Sequence, residues 1–247
     1  MAKLEARNVT KRFKKNTAVD GLNVTFETGR VYGLLGRNSA GKTTLLKLLT
    51  TQYLPDSGEV IYEKEAVYEN HTALEKLCLF QDEVPAFGTS RIKHLLKMGK
   101  SFYKNWSEDT AKYLMEVFEL KEDDYYNQLS KGKKTAVSIV LGMASGCEIT
   151  MFDEVYSGLD AVARQKFYDL IREEYGETNR TFILSTHLID EMSNLFTDVV
   201  IMKQGKVMLN EEMEALEASV ISVRGTREQL QMITGVEVLN ESVLVGT

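Results

Sequence analysis

Hydrophobic and polar residues alternate with a period of two along the first thirty residues of the chain. The segments LEARNVTKRF and GLNVTFET show this alternation, and Asp20-Gly21 between them is a common turn pair. We therefore expect two strands that meet at Asp20-Gly21. RVYGLLG, residues 30–36, is an apolar run that ends in glycine, which is typical of a buried strand that leads into a loop.

Helical spacing follows and then alternates with strand-like segments. KTTLLKLLTTQYL, residues 42–54, predicts a helix that stops before Pro55, and PDSGEVIYEKEAV returns to turn and strand chemistry. Further along, helices are expected at about 131–145 and 160–175, alternating with the apolar strands EITMFDEV and TFILST, before another helix and two short strands up to Leu209. Strands that alternate with helices predict an α/β fold whose parallel sheet is covered on both faces.

The segment between about residues 90 and 128 changes to helical spacing alone, with Ser107 as a candidate N-cap. It predicts a helical insertion in the sheet domain. The last segment, SVISVRGTREQLQMITGVEVLNESVLVGT, has a strand-helix-strand-strand rhythm. We therefore expect one domain over residues 1–215 with a helical subdomain at about 88–147, and a small appendage over residues 216–247.

Composition excludes few classes of protein. The 247 residues are 43% hydrophobic and 27% charged, as in ordinary globular proteins, and the net charge of -6 argues against nucleic acid as a partner. The N-terminus is charged from residue 3, and no window approaches the ~20 apolar residues of a membrane span. We expect a cytoplasmic chain that reaches a membrane only through a partner. Cys78 and Cys147 lack metal-type spacing and are expected to be buried free thiols.

GRNSAGKT, residues 36–43, fits the phosphate-loop pattern G-x-x-x-x-G-K-[ST] between a predicted strand and a predicted helix. Its backbone N–H groups and the helix dipole would hold the phosphates of a nucleotide, Lys42 would reach the outer phosphates, and the Thr43 hydroxyl would bind Mg²⁺. The predicted nucleotide-binding residues of this loop are Asn38, Ser39, Ala40, Gly41, Lys42, Thr43 and Thr44.

Polar residues end three other apolar strands. Asp153 would lie near Mg²⁺, and Glu154 would act as the base for the water that attacks the γ-phosphate; the alternative is a strand end with ordinary surface acids. His187 ends TFILSTH and should emerge beside Asp153, in the crevice where open α/β sheets bind ligands. Gln81 ends KLCLFQ and would reach Mg²⁺ or the attacking water.

A second phosphate-facing segment is NQLSKGKKTAV, residues 127–137. It is not a second phosphate loop, because Asn127 and Gln128 stand where a glycine is needed and no strand precedes it. Ser130 and Gly132 open a helix, whose N–H groups would bind an anion; the alternative is an ordinary N-cap serine beside solvated lysines. If the first loop holds its own nucleotide, this segment would serve the nucleotide of another molecule.

These elements together resemble the nucleotide-binding subunit of ATP-binding cassette (ABC) transporters over residues 3–215. In the family's order stand Phe13, GRNSAGKTT, Gln81, LSKGK, MFDE, SGLD and His187. The resemblance implies an ABC ATPase fold with a RecA-like parallel core and an N-terminal antiparallel part. It implies that the substrate is ATP with Mg²⁺, that Phe13 stacks on adenine, and that catalysis uses Glu154, His187 and Gln81.

The resemblance also implies partners. Two subunits, identical or related, pair head to tail, and the signature residues Ser130, Lys131 and Gly132 of each close over the γ-phosphate held by the other. An integral membrane permease would be the second partner. The loop DEVPAFG, residues 82–88, is its expected docking rim; the alternative is a loop that fills its own core.

Four residues depart from the usual family pattern. Lys131 replaces a glycine and Lys133 a glutamine of the signature, so these lysines either approach the γ-phosphate or point into solvent. Ser39 stands where glycine is common, and Val155 where proline is usual. Lysine-containing signatures resemble those of bacterial exporter ATPases, which leads us to expect export of a peptide or an amphipathic compound.

A soluble ABC-type ATPase that works on DNA or ribosomes is the alternative. Family members that act on DNA carry a long coiled coil between the phosphate loop and the aspartate, whereas here only 153 − 42 = 111 positions separate Lys42 from Asp153 and no heptad run appears. Those that act on ribosomes join two cassettes in one chain. A phosphate-loop kinase would leave SGLD and the signature unexplained.

Overall fold

The computed structural model describes residues 2–187 and 192–219. The strands are β1 (Lys3–Phe13), β2 (Asn16–Glu27), β3 (Val31–Leu35), β4 (Ser57–Tyr62), β5 (Glu65–Ala66), β6 (Leu77–Gln81), β7 (Ile149–Asp153), β8 (Thr181–Thr186), β9 (Asp198–Lys203) and β10 (Lys206–Glu212). The helices are α1 (Lys42–Leu49), α2 (His71–Leu74), α3 (Ile92–Phe102), α4 (Glu108–Val117), α5 (Lys131–Ala144) and α6 (Ala161–Thr178), followed by a short helix over Met213–Ser219. Single 3₁₀ turns lie at Pro85–Phe87, Tyr126–Gln128 and Ser193–Leu195.

Six strands form the central sheet, in the order β10-β9-β3-β8-β7-β6. All neighbours are parallel except β9 and β10, which are antiparallel. Every residue of β3, β7 and β8 is buried, as expected for strands covered on both faces. On one face Phe152 of β7 packs edge-to-face on Phe167 of α6, with ring centroids 5.3 Å apart. The predicted parallel sheet is confirmed.

The second sheet is antiparallel, in the order β2-β1-β4-β5. Residues of α1 pack in one apolar core with residues of this sheet and of the central sheet. Leu45, Leu46, Leu48 and Leu49 of α1 are fully buried. The predicted turn at Asp20-Gly21 is wrong: β2 runs through it, and the chain reverses at Lys14 and the residue after it. Gly21 has a φ of +56° where the β1–β2 register shifts, so the glycine serves a bulge inside the strand.

The predicted helix over 42–54 ends early, at Leu49. Thr51 follows in the left-handed region with a φ of +54°, a conformation that closes helix C-termini. The other boundaries fall close to the expectation. Helices α3 and α4 lie inside the predicted insertion, and α5 matches the helix predicted at about 131–145. Ser107 caps α4 by accepting the Thr110 N–H at 3.1 Å.

The chain divides into two units, Met1–Met213 and Glu214–Thr247. Only Glu214–Ser219 of the second unit belongs to the described residues, so the strands and helix predicted for the appendage lie outside them, as does most of the helix predicted after β8. Cys78 and Cys147 are buried free thiols, as expected. Among the described helices, none combines the length and apolar character needed to cross a membrane.

Candidate nucleotide-binding site

Three neighbouring strands of the central sheet carry the predicted polar residues to one edge. In the register of β6, β7 and β8, Gln81 lies opposite Asp153 and Asp153 lies opposite Ser185. Because the carboxyl ends of parallel strands meet at the same edge, these side chains and the residues that follow them share one crevice. The predicted meeting of the β7 and β8 ends, with Asp153 and His187, is found in the structure.

The phosphate loop connects β3 to α1 at this edge. α1 begins at Lys42, and its N-cap Gly41 supplies no side-chain hydrogen bond, so the first N–H groups of the helix are available to an anion. Gly41 has a φ of +106°, and a Cβ there would lie 2.4 Å from the Ala18 carbonyl oxygen. Ser39 also has a positive φ, +69°, which explains why glycine is common at this position.

Lys42 is the buried cation of the site, with 5% of its side chain exposed. Its Nζ donates to the Gly36 carbonyl at 2.6 Å and lies 3.5 Å from Glu154 Oε1. The same Glu154 oxygen lies 3.8 Å from His187 Nδ1. Glu154 has a φ of +54°, which is costly for a side chain of this size and recurs at functional sites. The structure thus brings three of the predicted site residues together.

Asp153 is 4% exposed, and both of its carboxylate oxygens accept hydrogen bonds. Ser185 Oγ donates to Oδ1 at 2.6 Å, and Gln81 Nε2 donates to Oδ2 at 3.0 Å. Ser185 also accepts the Glu154 N–H at 3.1 Å, so it ties both acids to β8. The sequence prediction missed Ser185; its only signal is a hydroxyl near the end of β8, after the apolar run FIL and two residues before His187.

The signature segment opens α5. Ser130 caps the helix by accepting the Lys133 N–H at 3.4 Å, as in the alternative of an ordinary N-cap. A Cβ on Gly132 would lie 2.7 Å from the Gly158 carbonyl oxygen, so this glycine allows the close approach of the SGLD loop. Gly132 therefore has a packing reason within its own chain.

The two unusual signature lysines contact their own chain. Lys131 Nζ lies 3.3 Å from Oδ2 of Asp82, the residue that follows Gln81 in sequence. Lys133 Nζ donates to the Glu119 carbonyl at 3.2 Å. Thr135 Oγ1 of α5 also donates to the Asp82 carbonyl, at 3.3 Å. Neither lysine simply points into solvent. The sequence analysis placed Asp82 in the expected docking rim and did not predict its contact with the signature.

Phe13 and Phe87, the aromatic residues of two peripheral predictions, differ in exposure. Phe13 ends β1, is 40% exposed, and packs edge-to-face on Tyr53 with centroids 5.3 Å apart. Phe87 of the predicted docking rim is only 8% exposed and packs edge-to-face on Tyr126 at 5.2 Å. At Phe87 the structure therefore agrees with the alternative of a loop that fills its own core, while docking at the loop 82–88 stays a prediction.

A glycine-rich loop at a helix start, with acids, a glutamine and a histidine at adjoining strand ends, defines a nucleotide-hydrolysing phosphate-loop protein. The ABC transporter family model matches residues 19–157. This is more than half of the 247 residues, and the chain belongs to that family. It is an ATP-binding protein of the ABC transporter type and an ATPase.

The similar proteins include ATP-binding proteins of importers as well as other transporter proteins. The chain is 24% identical over 221 residues to the ABC transporter ATP-binding protein YtrB of Bacillus subtilis, a match that covers 90% of this chain and 76% of YtrB. It is 32% identical over 209 residues to the human glucosylceramide transporter ABCA12, covering 80% of this chain and 8% of that one. It is 29% identical over 210 residues to the Fe(3+) ions import ATP-binding protein FbpC of Escherichia coli O157:H7, covering 83% and 60%.

Solved structures share the fold. An ATP-binding subunit of an ABC transporter superposes with a TM-score of 0.76 at 19% identity, covering 87% of this chain and 92% of the other. The dimeric post-hydrolysis state of the cassette MJ0796, bound to ADP and Pi, superposes with a TM-score of 0.71 at 20% identity, covering 85% and 98%. These likenesses confirm the ABC ATPase fold with its parallel core and antiparallel part.

Proposed function

We propose that two cassettes, identical or related, close on two ATP molecules and drive a separate integral membrane permease. The observation that carries the proposal is that one chain has two helix starts suited to phosphate, in different surroundings. Lys42 at the start of α1 lies beside Glu154, whereas Lys131 at the start of α5 lies beside Asp82. The second start would close over the γ-phosphate of the partner cassette, and the dimeric MJ0796 supports such pairing.

ATP would lie along the phosphate loop. The N–H groups of residues 38–44 and the Lys42 ammonium would hold the phosphates, and Phe13 would stack on adenine. Phe13 suits this role because its ring packs against Tyr53, with centroids 5.3 Å apart, and remains 40% exposed. From the partner cassette, Ser130, Lys131 and Gly132 would complete the site.

The residues at the strand ends suit Mg²⁺. The ion prefers hard oxygen ligands and is usually held by few protein groups together with substrate phosphates. The Thr43 hydroxyl and the Gln81 amide oxygen are such ligands. Asp153 would orient them, since Gln81 Nε2 already donates to its Oδ2 at 3.0 Å. Bound Mg²⁺ would neutralise charge on the transferring phosphate.

Hydrolysis needs a base for the attacking water, and we assign that role to Glu154. Its carboxylate is one-third exposed, and its backbone is fixed by the bond from its N–H to Ser185 Oγ at 3.1 Å. General-base catalysis of this kind contributes about 10²–10⁴-fold to a rate. His187 would contact the γ-phosphate, and Gln81 would help to place the water.

The permease would dock in an apolar groove of about 460 Å³ between β6 and α3. Leu77, Leu79 and Val84 line one wall, and Met98 and Phe102 of α3 line the other. Met98 is 41% and Phe102 73% exposed, an unusual amount for such large apolar side chains. A short amphipathic helix from the permease fits a groove of this type. Val84 follows Gln81 closely in sequence, so docking would couple to the nucleotide site.

The cassette would work at the cytoplasmic face of the membrane, held there by the permease, and would export a peptide or an amphipathic compound. The support for export is the lysine-containing signature LSKGK. The domain would span residues 1–215, with the helical subdomain at about 88–147 and the appendage at 216–247.

The test uses the Glu154→Gln chain, tagged and recovered from detergent-solubilised membranes of its source cells with and without Mg·ATP. We expect a polytopic membrane protein to co-purify, and we expect Phe102→Glu to release it. The matched control is Tyr113→Glu on α4, because Tyr113 is also an exposed aromatic residue, at 55%, but does not line the groove. Recovery of ribosomes or DNA instead would overturn the transporter role.

Direction is tested separately, by exposing cells to amphipathic peptides. Export predicts that cells which carry only the Glu154→Gln chain become more sensitive to a toxic substrate. Import predicts that they become more resistant, and that result would overturn the export proposal.

A further inference from the structure

Tyr156 contacts His187. It is two residues after Glu154 and is 2% exposed. Its hydroxyl lies 2.8 Å from His187 Nδ1 and accepts the His187 backbone N–H at 3.1 Å. The two rings are tilted by 64° with centroids 5.7 Å apart. One phenol therefore contacts the histidine twice, through its main chain and through its ring.

The hydrogen-bond roles around this phenol are assigned from its contacts with His187. A backbone N–H can only donate, so the phenol oxygen is the acceptor for His187 N. A buried phenol that already accepts one hydrogen bond still has its own O–H to donate, and His187 Nδ1, at 2.8 Å, is the partner that the geometry offers. Burial raises the pKa of Tyr156 above its ordinary value, so the phenol keeps this proton.

We propose that Tyr156 is a positioning residue that holds His187 in the tautomer with the proton on Nε2. This inference rests on the proposed function, in which His187 contacts the γ-phosphate. In that tautomer the nitrogen remote from Tyr156 is a neutral hydrogen-bond donor, which suits a phosphate oxygen.

The assignment also separates His187 from Glu154. Glu154 Oε1 lies 3.8 Å from the same Nδ1. A proton on Nδ1 would draw the glutamate into an ion pair or hydrogen bond with the ring. With Tyr156 as the donor to Nδ1, the carboxylate stays free to accept a proton from water. The aromatic residue thus allows the base and the phosphate contact to act from adjacent strand ends.

The direct test is ¹⁵N NMR of the full chain labelled at histidine, at about pH 8, where an ordinary histidine is neutral. The chain has three histidines, His71, His94 and His187, so His71→Gln and His94→Gln variants assign the signals. We expect His187 to show a protonated Nε2 and an unprotonated Nδ1, and we expect Tyr156→Phe to shift both signals toward a mixture of tautomers. A protonated Nδ1 in the unaltered chain, or no shift in Tyr156→Phe, would overturn the proposal.

Kinetics give a second readout. Loss of one hydrogen bond of ordinary strength predicts a fall in kcat of about 2- to 12-fold for Tyr156→Phe, with the KM for ATP little changed because the phosphate loop is intact. The matched control is Tyr32→Phe. Tyr32 is equally buried, and its hydroxyl also accepts a backbone N–H, from Glu27 at 2.7 Å, but it lies on β3 and does not contact His187. An equal loss of kcat in both variants would contradict a positioning role.

The role of His187 and its positioning by Tyr156 are tested separately. If His187→Ala hydrolyses ATP at the normal rate, the proposed function of His187 is wrong, while the NMR signals still decide whether Tyr156 sets its tautomer. If the tautomer is as proposed but Tyr156→Phe keeps full activity, positioning by Tyr156 is wrong for catalysis.

Discussion

Removing the negative charge of Asp82 should make ATP-driven pairing easier. In the single chain Asp82 Oδ2 lies 3.3 Å from Lys131 Nζ, and the two side chains are 33% and 55% exposed. For Lys131 to meet the γ-phosphate of a partner, this ion pair has to break. Asp82→Asn keeps the shape of the side chain and weakens the contact that competes with the phosphate.

The magnitude follows from the exposure of the pair. A solvent-exposed ion pair is worth about 0.2–1 kcal/mol, a factor of about 1.4 to 5 in an equilibrium constant. A symmetric dimer breaks the pair twice, so the dimer dissociation constant with ATP should fall by about 2- to 30-fold. Because exposed charges are screened by salt, the difference should shrink at high ionic strength.

The assay is sedimentation velocity of the chain over a range of concentrations with ATP, in the Glu154→Gln background that slows hydrolysis. The control is Glu83→Gln, which makes the same change in net charge at the neighbouring residue and breaks a similar pair, Glu83 with Lys134 at 3.6 Å. Weaker pairing in Asp82→Asn, or equal strengthening in both variants, would refute the competition between Asp82 and the γ-phosphate.

Two further predictions concern stability. Arg180→Met should lower the free energy of unfolding by about 3–5 kcal/mol. The reason is that the guanidinium of Arg180, which is 8% exposed, donates to the Met143 carbonyl at 2.8 Å and to the Gly142 carbonyl at 3.1 Å. A loss of less than about 1 kcal/mol in urea unfolding would contradict this prediction. Ser39→Gly should raise the free energy of unfolding by up to about 1 kcal/mol, because residue 39 has a φ of +69°, which glycine adopts more easily than serine. The same substitution should leave ATP hydrolysis unchanged. A clear loss of activity would mean that the serine side chain has a role of its own.

Sequence periodicity predicted the parallel sheet because its strands are short apolar runs bounded by turn residues. It misplaced the β1–β2 turn because Asp20-Gly21 has the composition of a turn, whereas the structure uses Gly21 for a bulge. It also predicted that α1 extends to residue 54, whereas the helix ends at Leu49, because nothing in the apolar pattern shows that Thr51 adopts a left-handed conformation. Local sequence does not distinguish a turn from a bulge when both need the same glycine.

The position of Lys42 was predictable from the phosphate-loop pattern, and the positions of Asp153, Glu154 and His187 were predictable because these residues end or follow apolar strands. The residues that hold these groups were not predicted, because their partners are distant in sequence. Asp82 meets Lys131 across 131 − 82 = 49 positions, and Tyr156 meets His187 across 187 − 156 = 31. The pairing of β7 with β8 brings Tyr156 near His187, and the packing of α5 against β6 brings Lys131 near Asp82.

We propose that ATP is held between two cassettes and that its hydrolysis separates them. The most direct measurement is the mass in solution of the Glu154→Gln chain, purified from its source cells so that a related partner is retained, with ATP and then with ADP. We predict about twice the mass of one cassette with ATP and the single mass with ADP. The same mass with both nucleotides, while equilibrium dialysis shows that ATP is bound, would contradict the account.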